Sequence, residues 1–221
     1  VEGDDHSSTV ALPRISIFEI AVSHDGQTVS TRTVTTTDLP AHDRISTARR
    51  WGMLGAGTGA QASSSVMVHG TAFLIPALHT EAGLSLAQAG LVASAPLAGI
   101  MVALLAWGAV VDRRGERFAL LAGLGLASAG GLAATQTTGL VPLAAALFVA
   151  GVGGAATNSA SGRVVVGWFP PERRGLAMGI RQMAQPLGVG LAAATIAVVA
   201  LRHGVATALW IPTAATLVAL V

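Results

Sequence analysis

The densest cluster of charged residues in this 221-residue chain lies between two long apolar runs. In the stretch WGAVVDRRGER, residues 107–117, five charged side chains fall within six consecutive positions. Asp112 ends an apolar run long enough to form a helix, and a helix dipole disfavours an anion at its C-terminal end. Arg113 and Arg117 lie near enough along the chain to neutralise that anion. We therefore expect Asp112 to pair with one of these arginines.

Two glycines frame the same cluster. Gly108 lies one helical turn before Asp112 and would leave room for another helix to come close. Gly115 permits a tight reversal of the chain. A cytoplasmic loop with excess positive charge would account for the arginines alone, whereas the glycine spacing favours a specific contact between helices.

Two further arginines stand inside apolar runs and are candidates for binding an anion. Arg163 precedes Trp168 by five residues, and Arg181 follows Arg174 by seven. At about 1.5 Å per residue, Arg163 would lie roughly 7–8 Å inside a membrane and Arg181 at a similar depth. Arginines at such depth usually face an interior cavity. The pair would bind an anionic solute or close a cytoplasmic gate; the alternative is that both side chains extend to the lipid headgroups.

Neutral polar residues in the apolar runs are weaker candidates for the same pathway. His69 would serve proton coupling or solute binding, or would simply be packed in its neutral form. Asn158 and Gln182 would offer hydrogen bonds to a solute, as would Gln61 and Gln185, or would bond to a neighbouring helix. The acidic residues after position 50 all lie at the ends of the apolar runs, which disfavours proton coupling through a buried carboxylate in this part of the chain.

Composition changes sharply near residue 50. Residues 1–50 contain 12 charged residues, whereas residues 51–221 contain 12 charged residues in 171 positions. Soluble domains are about a quarter charged, and the apolar runs after residue 50 exceed the roughly 20 residues that a membrane helix needs. The second segment is therefore predicted to be an all-α integral membrane bundle, since alternating ten-residue segments typical of a barrel are missing from the sequence.

Several other classes of function are disfavoured. The pI of 10.9 reflects arginine without lysine, tyrosine or cysteine, and the net charge is only +2, so we expect no nucleic-acid partner. The glycines of residues 55–59 follow no strand, and the chain has no lysine for a phosphate loop. Without cysteine there is no thiolate metal site, and we expect neither metal nor cofactor. The stretch SASG, residues 159–162, is a poor match to an intramembrane serine protease, so an enzyme is not expected.

Six membrane spans are predicted from the apolar runs and the turn-forming residues between them. Ser85 is expected to cap the second span, and prolines 96, 186 and 212 are expected to kink the spans that contain them. The predicted spans cover approximately residues 51–78, 86–111, 118–136, 140–168, 176–201 and 205–221, the last of them ending inside an apolar run.

The remaining segment, residues 1–50, is predicted to be a cytoplasmic N-terminal tail, either disordered or folded as a hairpin around Asp25-Gly26. The loops determine the orientation: if the N-terminus is cytoplasmic, the inner segments carry seven arginines and the outer loops only Arg202. This asymmetry follows the positive-inside rule and predicts a multi-pass protein of the cell membrane.

The charged cluster resembles the loop signature of the major facilitator superfamily, Gly-x-x-x-Asp-Arg-x-Gly-Arg-Arg. Gly108, Asp112, Arg113, Gly115 and Arg117 match it, and Glu116 replaces a basic residue. A second stretch, GWFPPERRGLAMGIRQMAQPLG at residues 167–188, is similar to the junction of the fourth and fifth helices in that family. The fourth-helix basic residue usual in the family is missing near Ala150, which leaves open how Asp112 is paired.

The resemblance implies a six-helix N-terminal half of a twelve-helix transporter, with the C-terminal half as its partner. It implies a cytoplasmic gate at residues 108–117 and transport of a small polar or anionic solute by alternating access. The alternative is a truncated membrane protein that binds a partner and does not transport.

Overall fold

The structure is a computed structural model that describes residues 17–21, 30–34, 46–137 and 139–220. The chain divides into two compact units, residues 1–46 and 47–221. In the first unit, strands β1 (Ile17–Ala21) and β2 (Ser30–Val34) pair antiparallel, with Ile17 opposite Val34 and Ala21 opposite Ser30. The N-terminal segment therefore contains the two paired strands of the predicted hairpin. Its expected turn at Asp25-Gly26 lies outside the described residues.

The second unit is entirely helical over its described residues. Glycines with positive φ begin or end several of the helices, as at Gly139 and Gly204. The predicted cap at Ser85 is confirmed: its hydroxyl accepts from the Gln88 backbone, and Gln88 accepts in return from the Ser85 backbone. The helices are α1 (Thr47–Gly70), α2 (Ile75–Thr80), α3 (Leu86–Arg114), α4 (Glu116–Gln136), α5 (Leu140–Trp168), α6 (Pro171–His203), α7 (Val205–Ala208) and α8 (Trp210–Leu220).

The first predicted span, 51–78, is not one continuous helix. It starts earlier, at Thr47, and a 3₁₀ turn at Thr71–Leu74 separates α1 from α2. The Thr71 hydroxyl lies 2.9 Å from both the Val68 and the Ala93 carbonyl oxygens, so this turn is held against α3. Short 3₁₀ segments within a helical run often mark a change of direction or a hinge.

The predicted loop of residues 112–117 is also corrected. Helix α3 continues to Arg114 and α4 starts at Glu116, so the connection is Gly115 alone. Gly115 has φ +82°, a conformation that side chains with Cβ rarely adopt. The charged cluster therefore occupies two helix ends rather than a loop.

Proline residues do not interrupt the long helices. Helix α3 contains Pro96 and α6 contains Pro186, and both helices continue through these positions. The remaining predicted bounds differ mainly in length: α6 is longer than predicted at both ends, and the last predicted span divides into α7 and α8 at Leu209.

Four helical segments of the described residues are long and apolar enough to cross a membrane: α3, α4, residues 140–162 of α5, and α6. Many large apolar side chains on α3 are exposed, including Met101, Val102 and Leu105. Helix α1 falls outside this group because it carries Gln, Ser, Thr and His residues, several of which are buried inside the bundle. Its buried residues include Gln61, Ser64 and Ser65, which lie next to the candidate site.

Helix α5 is the centre of the bundle and packs against α3, α4 and α1. Glycines bring the backbones close together. A Cβ at Gly151 would overlap the Pro96 carbonyl of α3, and one at Gly153 would overlap the backbone of Ala127 in α4. A Cβ at Gly130 would lie 2.5 Å from the Ala150 nitrogen. Small residues pack the helices of this bundle, as the sequence predicts.

This packing can be tested with two substitutions on α4. Gly130→Ala is expected to lower the free energy of unfolding by about 1–3 kcal/mol, the usual penalty for overpacking against atoms that cannot move. Gly125→Ala is the matched control, since a Cβ there meets nothing within 4 Å, and it should be neutral or stabilising. Thermal unfolding in detergent measures both. Equal midpoints would contradict the backbone contact.

Candidate functional site

Polar residues from three helices converge in the bundle, where Gln61 and Ser161 are buried, Arg181 is half-buried and Asn158 is exposed. Gln61 comes from α1, Asn158 and Ser161 from α5, and Arg181 from α6. Gln61 and Ser161 are only 5% and 3% exposed. Apolar contacts position the three helices next to this group: Leu54, Val165, Phe169 and Ala177 form a buried cluster, and the Trp51 ring contacts Phe169 edge-to-face at 5.3 Å.

Arg181 is the charged residue of this group. Its Nε donates to the Ser161 hydroxyl at 2.9 Å, and its Nη2 donates to the Asn158 carbonyl at 3.4 Å. Its Nη1 donates to the Gln182 side-chain oxygen at 2.9 Å and lies 3.6 Å from the Met178 sulfur. All four of these acceptors are electrically neutral. They hold the guanidinium in place without cancelling its charge.

Gln61 connects the arginine to the rest of the network. Its amide nitrogen donates to the Asn158 side-chain oxygen at 3.0 Å. The Ser161 hydroxyl lies 2.7 Å from the Gln61 oxygen and 2.6 Å from the Thr157 carbonyl, so its single hydrogen serves one of these acceptors at a time. The chain Gln61–Ser161–Arg181 is thus a continuous hydrogen-bonded path from α1 to α6.

A small polar cavity continues from this network along α1. Its volume is about 20 Å³, which is sufficient for a single water molecule. The Ser65 hydroxyl donates to the Gln185 carbonyl at 3.0 Å, and His69 Nδ1 lies 3.3 Å from the Ser65 carbonyl and 3.4 Å from its hydroxyl. The cavity is lined by Gln61, Ser64, Ser65, Val68, His69, Ile100, Thr157, Asn158 and Gln185.

The structure thus brings together most of the polar candidates named from the sequence. Arg181 contacts both Asn158 and Gln182 directly, and His69 lines the same cavity as Asn158. Arg163 belongs to α5, but its side chain lies outside the described part of the chain. The proposed pairing of Arg163 with Arg181 therefore stays a prediction.

Sequence reasoning missed Ser161 and Ser65. Serines are frequent in the apolar runs, so composition alone does not distinguish these two. The useful signal is the four-residue spacing on α1, where positions 61, 65 and 69 share one helix face. Thr58, on the same helix, has a buried hydroxyl that finds no hydrogen-bond partner among the described residues, and it lines a cleft with Ser161 and Arg181.

The predicted gate residues lie elsewhere, at the junction of α3 and α4. Arg113 and Arg117 are exposed, and Asp112 is exposed in the last turn of α3. A Cβ at Gly108 would meet nothing within 4 Å. The close helix predicted beside Gly108 is therefore not part of the described bundle. The pairing of Asp112 with Arg113 or Arg117 stays a prediction.

The hydrogen bonds of Ser161 predict a clear stability difference. Ser161→Ala leaves Arg181 Nε and the Gln61 oxygen without their partner, and should lower the free energy of unfolding by about 1–3 kcal/mol. Thr58→Val is the matched control because it removes a hydroxyl that makes no such bond, and it should be near neutral. Thermal or denaturant unfolding in detergent compares them. Equal destabilisation by both changes would refute the network.

Comparisons with known proteins agree with this architecture. The family model described as Major Facilitator Superfamily matches residues 54–221. Proteins of two Mycobacterium tuberculosis strains, each named an uncharacterized MFS-type transporter, are 42% identical over 172 residues. These residues make up 78% of this chain and 38% of each relative, so the chain spans about two fifths of the relatives' length.

Solved transporters share the fold at low sequence identity. A peptide transporter POT in complex with sulfate superposes with a TM-score of 0.68 at 19% identity, over 76% of this chain and 36% of its own. The proton:xylose symporter XylE, bound to 6-bromo-6-deoxy-D-glucose, superposes with a TM-score of 0.65 at 16% identity, over 80% of this chain and 44% of its own. The all-α membrane bundle, the loop signature at residues 108–117 and the matched family model together show that this chain belongs to the major facilitator superfamily.

Proposed function

We propose that this chain supplies one six-helix half of a secondary transporter that moves a small polar, anionic solute across the cell membrane by alternating access. The observation that carries the anionic part is the environment of Arg181. Among the described residues, the acceptors that hold this guanidinium are all neutral, so they leave its charge uncompensated, and such a charge within a membrane bundle marks a solute or ion pathway. Membership of a transporter family supports the transport part of the proposal.

The position of Arg181 along α6 supports contact with a solute. It is ten residues from Pro171, the first residue of the helix, which is about 15 Å along the helix axis. If Glu172, Arg173 and Arg174 lie at the lipid headgroups, Arg181 is about 10 Å inside the roughly 30 Å hydrocarbon core, toward its middle. Transporters of this kind bind their solutes near the midplane.

The second wall of the solute site would come from a partner bundle. The cavity beside Gln61 holds about one water molecule, whereas small-molecule sites usually enclose several hundred Å³. Asn158, Gln182 and Gln185 are exposed on this half and would face a second six-helix bundle across the pathway. The full transporter would therefore be needed for uptake.

We further propose that the N-terminus is cytoplasmic and that the junction of α3 and α4 serves as a gate on that side. The arginine distribution supports the orientation. The gate would use the cluster Gly108, Asp112, Arg113, Gly115 and Arg117, which is exposed or half-buried on this bundle. Its charges would form contacts with the second half that break and re-form during the transport cycle.

The anion hypothesis is tested by substitution of Arg181 in the full-length protein. A thermal-shift screen of small organic and inorganic anions first selects a solute, and uptake into proteoliposomes then measures transport. Arg181→Gln should reduce kcat/KM by about 10- to 100-fold, the effect of losing one charged hydrogen bond. Arg181→Lys should recover part of the activity, since it keeps the charge but not the planar fork.

The control for this experiment is Arg202→Gln, in the exposed last turn of α6, which should transport normally. Unfolding midpoints must be compared so that loss of folding is not mistaken for loss of binding. Normal uptake of the selected anion by a folded Arg181→Gln protein would contradict the proposal.

The gate hypothesis predicts that stability and transport respond differently at Gly108. Since nothing lies within 4 Å of a Cβ there, Gly108→Leu should leave the unfolding midpoint of the 221-residue chain within a few degrees of its original value. In the full-length protein the same change should reduce uptake at least about tenfold, because it obstructs close approach of a second helix. Unchanged uptake would argue against a gate contact at this position.

A further inference from the structure

The two sides of the Arg181 guanidinium have different environments. Nε and Nη2, on one edge, donate to the Ser161 hydroxyl and the Asn158 carbonyl of α5. Ser161 is buried, and its hydroxyl lies within hydrogen-bonding distance of the Gln61 side-chain oxygen and the Thr157 carbonyl, to one of which it donates at a time. Moving Ser161 away from Nε would disturb its contacts with α1, α5 and α6. This edge of the guanidinium is therefore fixed.

The Nη1 end is held by a much weaker constraint. Its oxygen partner is the side chain of Gln182, the next residue along the chain, and Gln182 is exposed. Consecutive residues on a helix point in different directions, so this contact depends on two long side chains that bend toward each other. An exposed amide that leaves Nη1 is readily hydrated, so its departure costs little.

From this asymmetry, and resting on the proposed function, we propose that Gln182 is a displaceable internal ligand that covers Arg181 until a solute arrives. The solute would be an oxyanion, such as a carboxylate, and one of its oxygens would take the position now held by the Gln182 oxygen at Nη1. The exchange is favourable because hydrogen bonds between a guanidinium and an anionic oxygen are about twice as strong as those to a neutral oxygen.

Several features of the site support this exchange. The guanidinium has five N–H groups, and four acceptors contact it among the described residues, so at least one N–H has capacity for a second solute oxygen. Because Nε is committed to Ser161, an incoming oxyanion has access to the terminal nitrogens. Because Ser161 and Asn158 hold one edge of the guanidinium, the Nη1 side is the one available to a solute.

The reactivity of Arg181 toward phenylglyoxal, which modifies accessible guanidinium groups, tests this proposal without knowledge of the solute. The full-length protein in detergent is treated with the reagent, and peptide mass spectrometry follows the Arg181 adduct. Gln182→Ala should raise the modification rate roughly three- to tenfold, the effect of removing one solvent-exposed hydrogen bond. Gln182→Glu should lower it by a similar factor, since its carboxylate would pair with Arg181.

The control variant is Gln136→Ala, which removes an exposed glutamine at the end of α4 whose amide bonds to Thr135. It should leave the modification rate of Arg181 unchanged. An unchanged or slower rate in Gln182→Ala, with normal folding, would overturn the role of Gln182 as a cover. That outcome is distinct from failure of the proposed function, which would appear as normal anion uptake by Arg181→Gln.

Discussion

The close backbone contact of α5 with its neighbours is the constraint on which the rest of the bundle depends. In a membrane, moving an apolar side chain from the lipid tails into the bundle gains little free energy, so helices associate through tight packing and interhelical hydrogen bonds. Gly151 and Gly153 permit such packing on two sides of α5, against α3 and α4. With two sides fixed, α5 presents Asn158 and Ser161 toward α1 and α6. The polar site is thus a consequence of glycine positions elsewhere on the same helix.

A charged side chain within such a bundle has to be hydrogen-bonded, because burial without partners is costly. Arg181 meets this requirement with neutral groups. A carboxylate partner would have neutralised the charge. Neutral acceptors instead hold the guanidinium in a fixed orientation and leave its positive charge uncompensated. An anion-binding site needs both properties. In this respect the geometry of Arg181 differs from that of the arginines at the α3–α4 junction, which are exposed.

Much of this arrangement follows from the sequence, and the exceptions have physical causes. The helical bundle and the Ser85 cap agree with prediction, because the spacing of apolar residues and the choice of capping residues are local signals. The role of Asn158, Arg181 and Gln182 in a solute pathway stays a prediction, although Arg181 contacts both of the other residues. The break at Thr71–Leu74 could not be read locally, since it depends on the Thr71 hydroxyl reaching the Ala93 carbonyl of another helix. Ser161 was missed for the same reason: its importance lies in Gln61 and Arg181, which are far from it in sequence.

The 3₁₀ turn at Thr71–Leu74, which separates α1 from α2, connects the polar site to α3. His69 lies near the end of α1 and is the last of the polar residues at positions 61, 65 and 69, which share one helix face. The next residue, Gly70, allows α6 to approach at Ile196. The Thr71 hydroxyl, shared between the Val68 and Ala93 carbonyls, then joins the end of that helix face to α3. Helix α3 carries the charged junction at its other end. A rigid-body movement of α3 would therefore act on both the proposed gate and the His69 end of the polar site, as the proposed alternating access would require.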